Sequence, residues 1–333
     1  MRPTARQVAE LAGVSVATVS YVLSGRDRPV GAETRQRVLD AARQLGYTPN
    51  QAARSLRKRR TQRVCLVLST LGGVPSDERL ATDLHEMADA RGYSVITLAV
   101  YSEARAKAAV DVLRGGIADG ALVNVVGDHL TRDMLNDLAA AGLPLVVLSN
   151  EAGLEGCDVV RTPQAEACEE AVEHLLAQGR RRIAFLAHRH ELHREQPEGR
   201  LLGYTRALDR HGVTERIITT GADDRVAAYQ TATELLRSPD RPDAIFAASD
   251  RAAISAIWAA RDAGLRVPGD VAVVGAGNID EGLITNPQLS TVGPLRHDYT
   301  DVARLLFDRL QAEEAPPARE IVRSWTYLRR GSS

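Results

Sequence analysis

The residues with the clearest capacity for chemistry lie between positions 4 and 23. Thr4 and Gln7 have the spacing of a capping box, in which each side chain satisfies a backbone donor that the first helical turn leaves open. Gly13 suits the left-handed residue that ends a helix, and Ser15 suits the N-cap of the next. Val8, Leu11 and Ala12 share one face of the first helix, and Val19, Val22 and Leu23 share one face of the second. Two helices this short need each other and a third to be stable. The pattern predicts a helix-turn-helix, whose second helix enters the DNA major groove. The plainer reading is a pair of packed helices in an ordinary bundle.

The next residues supply the third helix and a run of cations. A helix is expected over 32–45, with Val38, Leu39, Ala42 and Leu45 inward and Gly46 as its stop. Asn50 can cap a short segment, 51–57, that has helix-forming residues but almost no apolar face. Such a segment should be marginal without a partner. Arg54, Arg57, Lys58, Arg59, Arg60 and Arg63 would be drawn to phosphate. Leu56 stands alone among them. It reads either as a wedge for a minor-groove base step or as a linker residue packing loosely on the next domain.

Charge supports a polyanion partner for this head alone. Residues 1–60 carry 12 basic against 4 acidic side chains, +8, which leaves −9 for the rest of a chain whose total is −1. The basic residues are almost all Arg, with Lys58 and Lys107 the two lysines, so Arg identity itself carries little weight. The chain has 333 residues, 44% hydrophobic and 26% charged, enough for two or three domains of ordinary composition. No run resembles a membrane span or an apolar signal region, so a cytoplasmic protein is expected. Cys65, Cys157 and Cys168 have no metal spacing and read as reduced structural thiols.

From Val64 the texture becomes α/β. The apolar run 64–68 marks a strand buried on both faces. Helical stretches near 77–91 and 103–115 alternate with strand-like runs at 94–100, 120–125 and 144–148. The rhythm restarts near residue 160, with helices at 164–178, 199–211, 227–237 and 251–263. Strands at 182–187, 216–220, 244–248 and 271–275 lie between and after them. A late helix at 294–311 is expected to return to the first lobe, and a final strand at 320–328 to the second. Ligands of such bilobed folds lie between the lobes, at the carboxyl ends of the strands.

Other chemistry finds weaker footing. Gly275-Ala-Gly277 follows a strand like a dinucleotide loop but lacks the third glycine. His188, His190 and His193 do not have the His-Glu-x-x-His spacing of zinc proteases, and a mobile polar loop is the preferred reading. No nucleophile–base arrangement argues for catalysis, and neither a metal nor a cofactor is expected.

The whole chain resembles the lactose-repressor (LacI) family of bacterial transcription regulators. The resemblance rests most on Val8-Ala-Glu-Leu-Ala-Gly-Val-Ser-Val-Ala-Thr-Val-Ser20, Glu33-Thr-Arg-Gln-Arg-Val38, Leu45-Gly-Tyr-Thr-Pro-Asn50 and Ala53-Arg-Ser-Leu56. The body adds Asp119-Gly-Ala-Leu-Val-Asn124, Arg200-Leu-Leu-Gly-Tyr204, Asp243-Ala-Ile-Phe-Ala-Ala-Ser-Asp250 and Leu289-Ser-Thr-Val292, the last matching the family's crossover segment. It implies a helix-turn-helix DNA-binding domain over 1–49, a hinge helix and linker over 50–62, and a periplasmic-binding-protein-like α/β effector and dimerisation domain over 63–333. Lobe 1 would hold about 63–160 and 292–320, and lobe 2 about 161–291 and 321–333.

The function so implied is a ligand-responsive repressor, a homodimer on a pseudo-palindromic double-stranded operator. A bilobed solute-binding protein or an enzyme on the same body is the alternative. Val16, Ala17 and Tyr21 would read bases. Thr4, Ser15, Thr18, Ser20 and Tyr47 would meet phosphate, although capping and packing explain them too. The hinge segment, with Asn50, Arg54 and Leu56, would fold on DNA. Tyr21 stands where many members carry Arg, and a Tyr hydroxyl cannot make a bidentate contact to guanine. The effector, a sugar or other polar metabolite, would meet Ser69, Asn124, Ser149, Arg200, Ser249, Asp250 and Asn278. Two departures weaken the sugar expectation: Ser69-Thr-Leu-Gly-Gly-Val-Pro75 replaces an Asp and an aromatic pair, and Ala276-Gly277-Asn278 replaces aromatic-Asp-Asp.

Overall fold

In the computed structural model the described residues are 3–24, 30–48, 60–69, 71, 74–124, 129–150, 152–193, 196–314 and 316–333. The hinge candidates Asn50, Arg54 and Leu56 lie outside them. The chain divides into two compact units, Met1–Gln62 and Arg63–Ser333.

The described part of the first unit is three helices: α1 (Ala5–Ala12), α2 (Val16–Ser24) and α3 (Ala32–Leu45). Thr4 and Gln7 form the reciprocal capping box, with Thr4 N–H donating to Gln7 Oε1 at 2.9 Å. Gly13 takes φ +66°, which a side chain would oppose. The core joins Val8, Ala9 and Ala12 to Val19, Val22, Val38, Ala41 and Ala42. Leu11, expected inward, is 48% exposed. The buried stripe of α1 centres on Val8, Ala9 and Ala12, which turns Leu11 to the rim.

The second unit is built on two six-stranded sheets. In lobe 1 the order is β11-β5-β4-β3-β1-β2, all parallel: β1 (Arg63–Leu68), β2 (Ser94–Ala99), β3 (Gly120–Asn124), β4 (Leu145–Leu148), β5 (Asp158–Arg161) and β11 (Glu320–Val322). Strand β1 shows why its sequence is uniformly apolar. Cys65 and Val67 pack on one face beside α5 (Glu103–Arg114) and α6 (Arg132–Ala140). Val64, Leu66 and Leu68 pack on the other beside α4 (Pro75–Asp89) and α12 (Thr300–Gln311).

In lobe 2 the order is β12-β10-β9-β8-β6-β7: β6 (Ile183–Ala187), β7 (Ile217–Thr220), β8 (Ala244–Ala247), β9 (Ala272–Ala276), β10 (Ser290–Gly293) and β12 (Thr326–Leu328). Its helices are α7 (Ala165–Ala177), α8 (Arg189–Leu192), α9 (Gly199–Arg210), α10 (Arg225–Arg237) and α11 (Asp250–Asp262). Among the described residues, no helix is long and apolar enough to cross a membrane.

Two expectations about the lobe crossings change. Leu289–Val292 is not a crossover: β10 is fully buried and pairs with β9, and the chain crosses afterwards, over 294–299. The late helix therefore starts at Thr300, whose N–H donates to Asp298 Oδ1 at 2.9 Å. The run 320–328 is two strands. β11 runs parallel to β5 in lobe 1, and β12 antiparallel to β10 in lobe 2. With 162–164, the lobes are joined by three short connections, and Trp325 sits in the last.

Lobe 1 secures the returning segment with a buried ion triad. Asp158, wholly buried, accepts from Arg309 Nη2 at 2.8 Å and from Arg319 Nη2 at 2.7 Å. Burial pushes the Asp158 carboxyl up, but the bonds from the two guanidinium groups outweigh it and hold it below the usual range.

Candidate DNA interface and effector cleft

In the first unit, α2 starts because Ser15 Oγ accepts from Thr18 N–H at 3.1 Å, with the two hydroxyls 2.9 Å apart. Val19 and Val22 anchor the helix inward, which leaves Val16 and Ala17 exposed at its first turn. These apolar groups suit thymine methyls and cannot hydrogen-bond a base edge. Thr18, Ser20 and Tyr21 are half-buried. Tyr47, also half-buried, packs on the three-helix core, so its ring has a structural role whatever its hydroxyl meets.

In lobe 1, Ser69, Asn124 and Ser149 fall at the carboxyl ends of β1, β3 and β4, which are neighbours in the sheet. Asn124 Nδ2 donates to Asp77 Oδ1 at 2.7 Å, tying β3 to the first turn of α4. Burial pushes the Asp77 carboxyl up to about 6, against the hydrogen bond from Asn124 that favours its charged form. Sequence reasoning missed Asp77; its only signal was an acidic residue in a first helical turn.

In lobe 2, Ser249, Asp250 and Asn278 follow the carboxyl ends of β8 and β9. Ser249 caps α11, accepting from Ala252 N–H at 3.2 Å while its hydroxyl donates to Ala222 O. Asp250 is held within its own lobe. Only 1% exposed, it accepts from Ile279 N–H at 2.7 Å and from the Thr291 hydroxyl, so its oxygens serve its own lobe. Burial pushes this carboxyl up to about 6. Gly275 is explained by the same residue: a Cβ there would stand 2.3 Å from Asp250 Oδ1. Close approach of a carboxylate, not of a pyrophosphate, requires the glycine.

Asn278 adopts φ +56°, which Asn tolerates better than most residues. Its Nδ2 donates to Pro294 O at 2.8 Å, its Oδ1 accepts from Arg330 Nη2 at 2.6 Å, and its carbonyl accepts from His297 Nε2 at 3.0 Å. It thus joins the end of β9 to the 294–299 connection and the C-terminal tail. A cavity of about 640 Å³ opens here between α4 of lobe 1 and α11, the β9 exit and the connection. Asn278 is the one sequence-derived candidate in its wall.

Arg200 lies elsewhere in lobe 2, in the first turn of α9. Its Nη1 donates to Glu191 Oε1 at 3.4 Å, and its guanidinium lies 5.4 Å from the centre of the Trp325 ring. Glu191 also accepts from His188 N–H at 2.8 Å, and Asp223 holds His188 Nδ1 at 3.1 Å and Arg189 N–H at 2.9 Å. The described part of the expected mobile loop is therefore a tethered helical turn. Burial, then the stacked His188, hold His190 below the usual histidine range.

The lacI family of bacterial regulatory proteins matches residues 4–50, and the periplasmic binding protein-like domain matches 172–333. The chain is 33% identical to the HTH-type transcriptional regulator CelR of Thermobifida fusca, over 98% of each chain. The chain belongs to the LacI family. A structure of the CelR–cellobiose complex covers 100% of both chains at 30% identity, with a TM-score of 0.69. The lac repressor dimer bound to operator and the anti-inducer ONPF covers 100% of this chain and 99% of its own at 25% identity, with a TM-score of 0.76. This LacI-family protein is a sequence-specific DNA-binding transcriptional regulator with an effector-binding domain, not an enzyme.

Proposed function

We propose that this protein is a cytoplasmic repressor that binds a pseudo-palindromic operator as a homodimer and answers to a small polar metabolite in the interlobe cleft. The observation that carries this reading is the cavity spanning α4 of lobe 1 and the Asn278 corner of lobe 2, since a ligand there touches both lobes at once. By linkage, such a ligand shifts DNA affinity if it binds two lobe arrangements unequally, with about 1–3 kcal/mol of coupling sufficient. Val16, Ala17 and Tyr21 read bases. Thr4, Ser15, Thr18, Ser20 and Tyr47 approach phosphate, and the segment with Asn50, Arg54 and Leu56 folds on the DNA. Ser69, Asn124, Ser149, Ser249 and Arg200 complete the cleft as its lobes close.

Exposed apolar side chains of lobe 2 suit a homodimer contact. Val226, Trp258, Leu283 and Ile284 are exposed, and Glu281 links their elements by reaching Arg225 of α10 and Arg251 of α11, each at 3.7 Å.

Selection of binding sites from random-sequence DNA, followed by a reporter carrying the selected site, tests the reading. A two-fold-symmetric site and lower transcription are expected. Absence of sequence-selective binding at moderate salt sinks it.

A further inference from the structure

We propose that the cleft holds its effector by an anionic group, phosphate or carboxylate, taken by Arg330 at the Asn278 corner and by Arg296 of the same cavity wall, with hydroxyls of the same ligand turned toward His297, Glu78 and Asp280. This rests on the reading of the cavity as the effector site and names its ligand class: a sugar phosphate or a sugar acid.

Arg330 is aimed by neutral acceptors. Its Nη1 donates to Leu289 O at 2.8 Å and its Nη2 to Asn278 Oδ1 at 2.6 Å. No ion pair within 4.0 Å reaches it among the described residues, although its charge is near enough to favour the ionised form of the buried Asp250. His297 Nε2 faces a carbonyl and must therefore donate, which makes Nδ1 of the neutral ring an acceptor, suited to a ligand hydroxyl and not to its anion. That nitrogen is buried with no hydrogen-bond partner among the described residues. Arg296, next in the chain, is exposed in the cavity wall. Arg330 and His297 thus meet at Asn278, and Arg296 lines the same cavity.

The acids of the same cavity are arranged differently. Glu281 lies between Arg225 and Arg251, and Arg79 is answered by the buried Asp83 at 2.9 Å. Glu78 enters from α4, and Asp280 from the turn Asp280–Leu283 two residues after Asn278. Carboxylates accept hydrogen bonds from hydroxyls, and guanidinium forks fit phosphate and carboxylate oxygens. Among the described residues, no Phe, Tyr or Trp lines this cavity, so a neutral sugar would find no such ring to stack on. A ligand with one anionic end and several hydroxyls matches both sets.

The test uses full-length protein, with thermal shift and calorimetry at constant ionic strength. The probes are glucose 6-phosphate, gluconate, inorganic phosphate, glucose and cellobiose at millimolar concentration. Stabilisation by glucose 6-phosphate or gluconate, weakened about tenfold in Arg296→Gln and largely kept in Arg296→Lys, is the expected result. The comparison of the phosphate with the acid tells which anion is taken. Arg296 carries no ion pair among the described residues, so its variants test binding without disturbing the fold. Arg330→Gln is the second variant.

Stabilisation by glucose or cellobiose without stabilisation by the anions overturns the proposal while leaving the cleft as the effector site. So does inorganic phosphate acting equally on wild type and Arg296→Gln with no organic anion binding. Silence of every probe also overturns it. Gel shifts on the selected operator, run on the same samples, show separately whether the regulator reading stands.

Discussion

Glu191 accepts a hydrogen bond from Arg200 where both side chains are largely shielded, at 8% and 18% exposed. The contact couples the turn after β6 to α9, and the stacking of Arg200 on Trp325 extends it to the last connection between the lobes. Arg200 is therefore already partnered within lobe 2. A ligand reaching it competes with Glu191. Removing an internal competitor raises apparent affinity by the fraction of time it had closed the site. Glu191→Gln is expected to tighten effector binding about threefold to tenfold, and Arg200→Ala to weaken it, in calorimetry with whichever anion stabilises the wild type. Equal affinity in all three proteins would place Arg200 outside the effector site.

The Asp158 triad predicts a stability loss confined to lobe 1. Asp158→Ala leaves Arg309, itself 7% exposed, buried without its carboxylate. Removing one partner of a buried pair costs about 3–5 kcal/mol. The urea midpoint should fall accordingly. A change under 1 kcal/mol, roughly the worth of a surface pair, would mean the triad is not stabilising.

Asp77 gives a pH dependence whose sign is fixed. Its folded carboxyl sits at about 6, above the unfolded value of 3.8. The protonated form is favoured by folding, so this contribution is fully present below pH 4 and is lost as pH rises through 6. Asp250, raised to about 6 by burial, acts in the same sense. Asp158, held low, acts in the opposite sense and loses its stabilisation only in stronger acid. Between pH 4.5 and 7, stability of Asp77→Asn should fall less than that of wild type, by about 1–3 kcal/mol. Parallel curves for the two proteins would show that Asp77 does not titrate in this range.

Recognition by α2 is expected to lack a strong guanine contact at the position of Tyr21. Tyr21→Arg should create a guanine preference worth about 1–3 kcal/mol at one position of each half-site, read by site selection. Leu56→Ala should weaken operator binding without changing dimerisation. Unchanged site profiles in the first variant, or unchanged affinity in the second, would remove that residue from the interface.

The proposed dimer contact on lobe 2 is tested at Ile284. Ile284 is 85% exposed, and Ile284→Asp places a charge on this surface. Sedimentation should show a shift to monomer, with operator affinity reduced at least about 100-fold by loss of the second half-site. A variant that remains dimeric would move the interface elsewhere.

What was readable in the sequence was local. The capping box at Thr4 and Gln7, the cap at Ser15 and the stops at Gly13 and Gly46 all act within one helical turn, so spacing alone reveals them. The α/β rhythm was equally legible, because a strand buried on both faces must be apolar throughout, as 64–68 is. Tertiary structure decided the rest. Whether 290–293 is a crossover or a strand depends on β9 and β12 on either side of it. Whether 320–328 is one strand or two depends on partners in different lobes. Asp250 follows a strand, yet Ile279 and Thr291, 29 and 41 residues away in sequence, take its oxygens. Asn278, Arg330 and His297 meet only because the tail and the connection fold back on the end of β9. Periodicity reports which face a residue occupies, but a cleft is made of contacts between distant segments, and those exist only once the sheets have formed.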